Sequence, residues 1–224
     1  MIDLSKLDQE PQGERNTDGD VWAGRGGIQH VGKFGLHDNP QDHEHQRYVW
    51  VEAMIEQYAP NRNTLDVGCN IGEVIRVLLD DGIVTLPSYG LDIDKEYIEV
   101  ARQRVPSVKF FHRALEFAAQ CDFPPLGVVI AFDVLEHVFD PVRALGVFAE
   151  LLAPAGVLFI TTPDATPWAY GYAEAHPDLH RHVFDAETLS GLLKDVGLRV
   201  VDIQRSVPRY DGYTVLLMAA QKEG

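Results

Sequence analysis

The chain has 224 residues, 46% of them hydrophobic, and its 34 acids against 19 bases leave a formal charge of −15. That length can bury a sizeable core in one domain, no apolar run approaches the ~20 residues of a membrane helix, and two cysteines make no disulfide framework. So acidic a field repels phosphate backbones and no Lys/Arg cluster offsets it, while the N-terminus lacks the basic and apolar segments of a signal peptide; the expectations are a cytoplasmic protein, no membrane span and no nucleic-acid partner, with oligomeric state open.

Residues 1–27 are polar and aperiodic and are expected to be a flexible leader. Residues 28–60 form the next unit, a loop and a cap helix. Its first part crowds Gln29, His30, Lys33, His37, Asp38, Asp42, His43, Glu44 and His45 together. Histidine-acid clusters can bind metal, but a polar loop leading into a helix is the simpler expectation. From Gln41 the pattern turns helical, with Tyr48, Val51, Met54, Ile55 and Tyr58 on one face, until Pro60 and Asn61 stop it. The main domain is expected over residues 61–224.

Within that domain, Thr64-Leu65-Asp66-Val67-Gly68-Cys69-Asn70-Ile71-Gly72-Glu73 reads as a buried strand, a glycine turn and a helix start. Glycine lets the backbone bend sharply and lets a ligand approach. The spacing is not the dinucleotide fingerprint, which needs a glycine at position 70. About twenty residues on, Tyr89-Gly90-Leu91-Asp92-Ile93-Asp94 is a second strand ending in an acid. A carboxylate there suits the ribose hydroxyls of a nucleoside, and Asp94 suits the N-cap of a helix over 95–104, which Pro106 stops.

Strand and helix signals then alternate. Val108 to His112 is strand three, and Gly127 to Phe132 is an unbroken apolar run of the kind covered on both faces. Pro141 to Leu152 is helical, and Gly156 to Thr162 is strand five. Asp164 to Leu179 has no clear period; it carries Trp168, Tyr170 and Tyr172 and is expected as a loop at the site's rim. Ala186 to Val196 is a helix ended by Gly197. Leu198–Ile203 and Tyr213–Ala220 pair antiparallel. Alternating units of this kind predict an α/β fold, doubly wound, with seven strands, mostly parallel with one reversed near the C-terminus, and helices on both faces.

At this point the chain resembles a family. Leu65 to Gly72 looks like the first motif of class I S-adenosylmethionine-dependent methyltransferases, of the small-molecule type, and Gly90 to Asp94 resembles their second. Phe132-Asp133-Val134-Leu135-Glu136-His137-Val138, Leu152 to Gly156, Thr161 to Asp164 and His182 to Asp185 resemble later motifs, in the right order, over about residues 48–205. The resemblance implies a Rossmann-like methyltransferase fold and S-adenosyl-L-methionine as cofactor. It implies cofactor contacts from Asp66, Gly68, Cys69, Asn70, Gly72, Asp92, Ile93, Leu115 and Asp133, and from Arg47 on the lead-in helix toward the cofactor's carboxylate. Two departures stand out: Asn70 replaces the usual glycine, and His112-Arg113-Ala114-Leu115-Glu116 lacks the usual aspartate for the adenine amino group.

The implied reaction is in-line methyl transfer to a small-molecule acceptor, with oxygen the expected acceptor atom and S-adenosylhomocysteine the product. A hydroxyl nucleophile needs a base, and His137, just past strand four, is the catalytic candidate. A rival use of the same residues resembles small-RNA terminal 2′-O-methyltransferases. There Asp133, Glu136 and His137, spaced i, i+3, i+4, would join His182 around a divalent ion. The small-molecule reading expects no metal. A cofactor-binding protein without catalysis is the non-enzyme alternative.

Overall fold

The computed structural model describes residues 43–206 and 212–224; the expected leader and most of the histidine-acid cluster lie outside the described residues. The first helix, α1 (His43–Tyr58), precedes β1 (Asn63–Val67), α2 (Glu73–Asp80), β2 (Thr85–Asp92), α3 (Lys95–Arg104), β3 (Lys109–His112) and a 3₁₀ helix (Leu115–Cys121). There follow β4 (Leu126–Phe132), α4 (Pro141–Leu151), β5 (Leu152–Pro163), α5 (Pro167–Ala175), α6 (Ala186–Asp195), β6 (Leu198–Arg205) and β7 (Val215–Lys222).

The seven strands form one sheet in the order β3-β2-β1-β4-β5-β7-β6. All are parallel except β7, which runs antiparallel to both β5 and β6. Order reverses at β1, the place where an open α/β sheet makes a crevice beyond its strand ends.

Strand periodicity divides the core in two. Val129 and Ala131 of β4, Leu158 and Ile160 of β5, and Leu216 and Met218 of β7 face one layer, with Leu145 and Phe148 of α4 and Leu189 and Leu193 of α6. Val128, Ile130, Val157, Phe159, Val215 and Leu217 face the other, with Trp50, Val51 and Ile55 of α1, Ile75 and Leu78 of α2, and Ile98 and Ala101 of α3. Each fully buried side chain of this size contributes about 1.5–3 kcal/mol. This is why β4 carries seven buried residues in succession.

Caps set the helix starts. Asp94 accepts from Glu96 N and Tyr97 N at α3, as its position in the sequence suggests. Asp140 and Asp185 cap α4 and α6 through Arg143 N and Thr188 N. Helix α1 is fixed by Trp50, which meets Phe159 edge-on with ring centroids 5.7 Å apart and donates to Asp202 of β6 at 2.7 Å.

Two expectations change. The aperiodic stretch after β5 contains a helix, α5, which starts at Pro167 behind the Thr166 cap, whose hydroxyl accepts from Ala169 N at 3.3 Å. Its residues are mostly exposed and Ala169 alone among them is buried, so no apolar stripe marked it. Strand β5 begins at Leu152, four residues early, because Leu152 already pairs with Leu126.

Candidate active site

The carboxyl ends of β1, β2, β4 and β5 lie side by side, and the candidate residues sit on the turns that follow them. Gly68 N and Cys69 N both donate to Leu91 O, at 2.8 and 3.1 Å, and so stitch the glycine turn to β2. Gly68 has φ 68° and is exposed at the turn; a Cβ there would come within 2.7 Å of Val134 Cγ2. Asn70 has φ 49°. Asparagine tolerates this left-handed region better than most residues, and its Oδ1 accepts from Ile71 N at 2.7 Å. The departure from glycine at this position thus keeps the turn's backbone shape. Gly72, with φ 79°, opens α2, where a Cβ would meet Phe110 at 2.9 Å.

Asp92 closes β2 and organises both turns: Oδ2 accepts from Asn70 N and Oδ1 from Asp94 N, each at 2.8 Å. Burial raises its carboxyl above the ordinary range against those hydrogen bonds. Ile93, next in line, is an apolar side chain left 52% exposed. His112 meets Ile93 O at 3.0 Å and Arg113 N donates to Asp92 O, while Leu115 is buried at the start of the 3₁₀ helix.

Asp66 is buried in β1. Burial first, then the charge of Asp92, pushes its carboxyl up to about 8, against the opposing pull of Arg47. Its Oδ2 has no hydrogen-bond partner among the described residues. A buried acceptor beside an exposed glycine turn suits a ligand that brings its own cation.

Arg47 reaches across from α1. Its Nη1 donates to Asp133 Oδ2 at 2.5 Å and to Thr161 Oγ1 at 3.4 Å, and its guanidinium lies 4.9 Å from the centre of the Phe132 ring. Thr161 in turn donates to Asp133 Oδ1 at 3.0 Å. Asp133 takes φ 52° to leave β4. Thr161, at the end of β5, is a site residue that the sequence reading did not single out; its place in the Thr161-Thr162 strand end is the only signal for it.

Beyond Asp133 the turn carries Glu136 and His137. Glu136 is 1% exposed; Thr162 donates to its Oε2 at 3.1 Å, and burial holds its carboxyl well above the usual range. His137 Nδ1 lies 2.6 Å from Leu179 O. Burial lowers its imidazole and this bond partly restores it. Arg181 N and His182 N both bond Glu136 O, and His182 Nε2 meets Val138 O at 3.0 Å. The segment after α5 is therefore zipped onto the turn after β4.

The fold brings Asp66, Gly68, Cys69, Asn70, Gly72, Asp92 and Ile93 into one turn region, and it joins Arg47 to Asp133. It does not gather the four-ligand set: Asp133 is paired with Arg47 and His182 Nε2 is on Val138 O, and the residue near Glu136 and His137 is His180. Cys69 is buried, as is Cys121, and burial pushes both thiols up.

The winding of the sheet and the turns after β1 and β2 are those of a Rossmann-like methyltransferase fold. The sequence profile of the methyltransferase domain family matches residues 43–203, and the chain belongs to that family. It is 27% identical to a probable S-adenosylmethionine-dependent methyltransferase of Mycolicibacterium smegmatis over 70% of this chain and 60% of that one. It is 30% identical to a ubiquinone biosynthesis O-methyltransferase of Xanthomonas campestris over 61% and 58%. The chain thus spans about 53–60% of the length of the first curated relatives it matches. Among solved structures, magnesium protoporphyrin IX methyltransferase from Synechocystis, with S-adenosylhomocysteine bound, aligns with a TM-score of 0.64 at 16% identity, over 88% of this chain and 95% of that one. No helix of the described residues is long and apolar enough to cross a membrane.

Proposed function

We propose that the protein transfers the methyl group of S-adenosylmethionine to an oxygen of a small molecule, with His137 removing the acceptor's proton. The observation that carries the base is the 2.6 Å contact between His137 Nδ1 and Leu179 O. A carbonyl only accepts, so Nδ1 carries the proton and the neutral ring's lone pair is on Nε2. Burial lowers the imidazole's pKa, which favours the neutral form.

The bound cofactor supplies an electrophilic methyl carbon on a sulfonium. Around it, Gly68 leaves room for the methionine end, Asp66 offers its unpartnered oxygen to the ammonium, and Arg47 is the candidate for the carboxylate, in exchange with Asp133. Asp92 has lone pairs for ribose hydroxyls, and Ile93 and Leu115 offer apolar surface to the adenine. His137 takes the acceptor's proton at Nε2 as the oxygen displaces the neutral thioether in line. Holding the partners at attack distance supplies much of the acceleration. The ubiquinone O-methyltransferase relative supports oxygen as acceptor, and the two unpaired, buried cysteines suit a reducing cytoplasm.

Two measurements test this. Calorimetric titration with S-adenosylhomocysteine should show Asp92→Asn weakening binding at least tenfold, roughly 1.4 kcal/mol. The amide can no longer hold both turns and still accept from ribose; unchanged affinity puts the cofactor elsewhere. Against a panel of small phenols and catechols, read by S-adenosylhomocysteine release, His137→Ala should lower kcat by about a hundredfold and leave cofactor affinity alone. Full turnover would make His137 structural.

A further inference from the structure

We propose that Glu136, His137 and His180 bind a divalent transition-metal ion, and that the ion shuts the base by taking its lone pair. One ligand atom from each residue, a carboxylate oxygen and two imidazole nitrogens, lie within 4.8 Å of one another. Glu136 Oε1 is 3.8 Å from His137 Nε2, and the His137 and His180 rings meet edge to face with centroids 4.9 Å apart. Metal–ligand bonds of about 2.0–2.2 Å put tetrahedral neighbours roughly 3.4 Å apart. From separations of up to 4.8 Å the three atoms therefore need to close by about 1.4 Å at most. His180 is half-buried on a loop, and no hydrogen bond among the described residues engages its imidazole.

Two features beyond proximity point to an ion. A ligating histidine donates its other ring N–H to a carbonyl or carboxylate, which aims the ligating nitrogen; His137 does this to Leu179 O. Glu136 is almost fully buried, with Oε2 held by Thr162 and Oε1 turned toward the imidazole. A buried carboxylate is stabilised by a cation. Two nitrogens and one oxygen suit Zn²⁺, Co²⁺ or Ni²⁺ and not Mg²⁺.

The site itself rests on this geometry alone; the closing of the base rests on the role given to His137 above. A nitrogen pair bound to a metal cannot accept a proton, so loading and turnover should be mutually exclusive.

The test uses the full chain, stripped with chelator. Titration with Co²⁺ should give one equivalent with visible ligand-field absorption. Glu136→Gln and His180→Ala should each weaken that binding by at least about tenfold, since even residues that only orient metal ligands are worth this much. Glu136→Gln keeps the Thr162 contact, and His180→Ala changes a half-exposed side chain, so both variants should fold. Zn²⁺ should then inhibit turnover of the wild type, while His180→Ala keeps its basal activity and resists the ion. Absence of Co²⁺ binding, or binding that survives both variants because it sits on the histidines of residues 28–45, overturns the site. Turnover that persists in the loaded protein keeps the site and overturns the shut base, and with it the role of His137. Loss of S-adenosylhomocysteine binding by Asp92→Asn is independent of all three arms.

Discussion

Asp66 carries a prediction that needs no acceptor. Its carboxyl is raised to about 8 in the fold, from an ordinary value of 3.8, chiefly by burial. A group whose folded pKa is raised contributes fully below its unfolded value and loses that contribution as pH rises through the folded one. The cofactor-free protein should therefore lose stability between about pH 4 and pH 8 on account of this residue. Asp66→Asn removes the ionisation, so urea unfolding at pH 8.5 should find the variant more stable than wild type, by on the order of 1–3 kcal/mol after relaxation of the site. At pH 5 the two should differ much less. A variant less stable at both values would mean that the carboxylate is ionised and held by a partner. Asn70 teaches the opposite lesson about single positions. It stands where the resemblance expects glycine, and φ 49° and the bond to Ile71 N show an asparagine doing glycine's conformational work.

Helix α1 is the piece of the site that comes from outside the wound units, and Trp50 holds it. The indole is 4% exposed, packs edge-on against Phe159 and donates to Asp202. Trp50→Phe should cost about 1 kcal/mol, the usual worth of one hydrogen bond, and Trp50→Ala about 3–5 kcal/mol in equilibrium unfolding. Because Arg47 lies one turn before Trp50 on the same helix, the alanine variant should also weaken S-adenosylhomocysteine binding; unchanged affinity in a folded variant would detach Arg47 from the site. The helical face was legible from Tyr48, Val51 and Ile55, all buried. Trp50 was not, because it lies off that stripe and is buried by β6 and β5, and no local periodicity reports a partner some 110–150 residues away. Helix α5 escaped for a related reason: with mostly half-exposed aromatics, its sequence shows no boundary between core and solvent faces.

For the molecule as a whole, alternating apolar runs and glycine stops were enough to foresee the seven strands, their winding and the reversed partner near the end. The site was legible where chemistry and turn coincide, as at Gly68 and Asp92, each of which must satisfy backbone geometry and stay open to a ligand. It was illegible where it depends on which turns meet. That Leu179 O would reach His137, that Thr161 would bridge Arg47 and Asp133, and that His180 instead of His182 would lie beside Glu136 are consequences of tertiary closure, and spacing along the chain is silent on them.

The place of β7 bears on how the molecule comes into being. It is the last strand in the chain but an interior one in the sheet, between β5 and β6, with six consecutive buried residues from Val215 to Ala220. While a ribosome is still making it, β5 has one side unpaired and β6 has no neighbour to lie against. The sheet cannot be completed outward from the first strand, as growth by elongation would do; it must wait for residue 222 and then admit a strand into a gap. A nascent chain stalled before Thr214 should accordingly be cut by protease within residues 186–206 while its first four strands resist, and release of the remaining residues should protect both together.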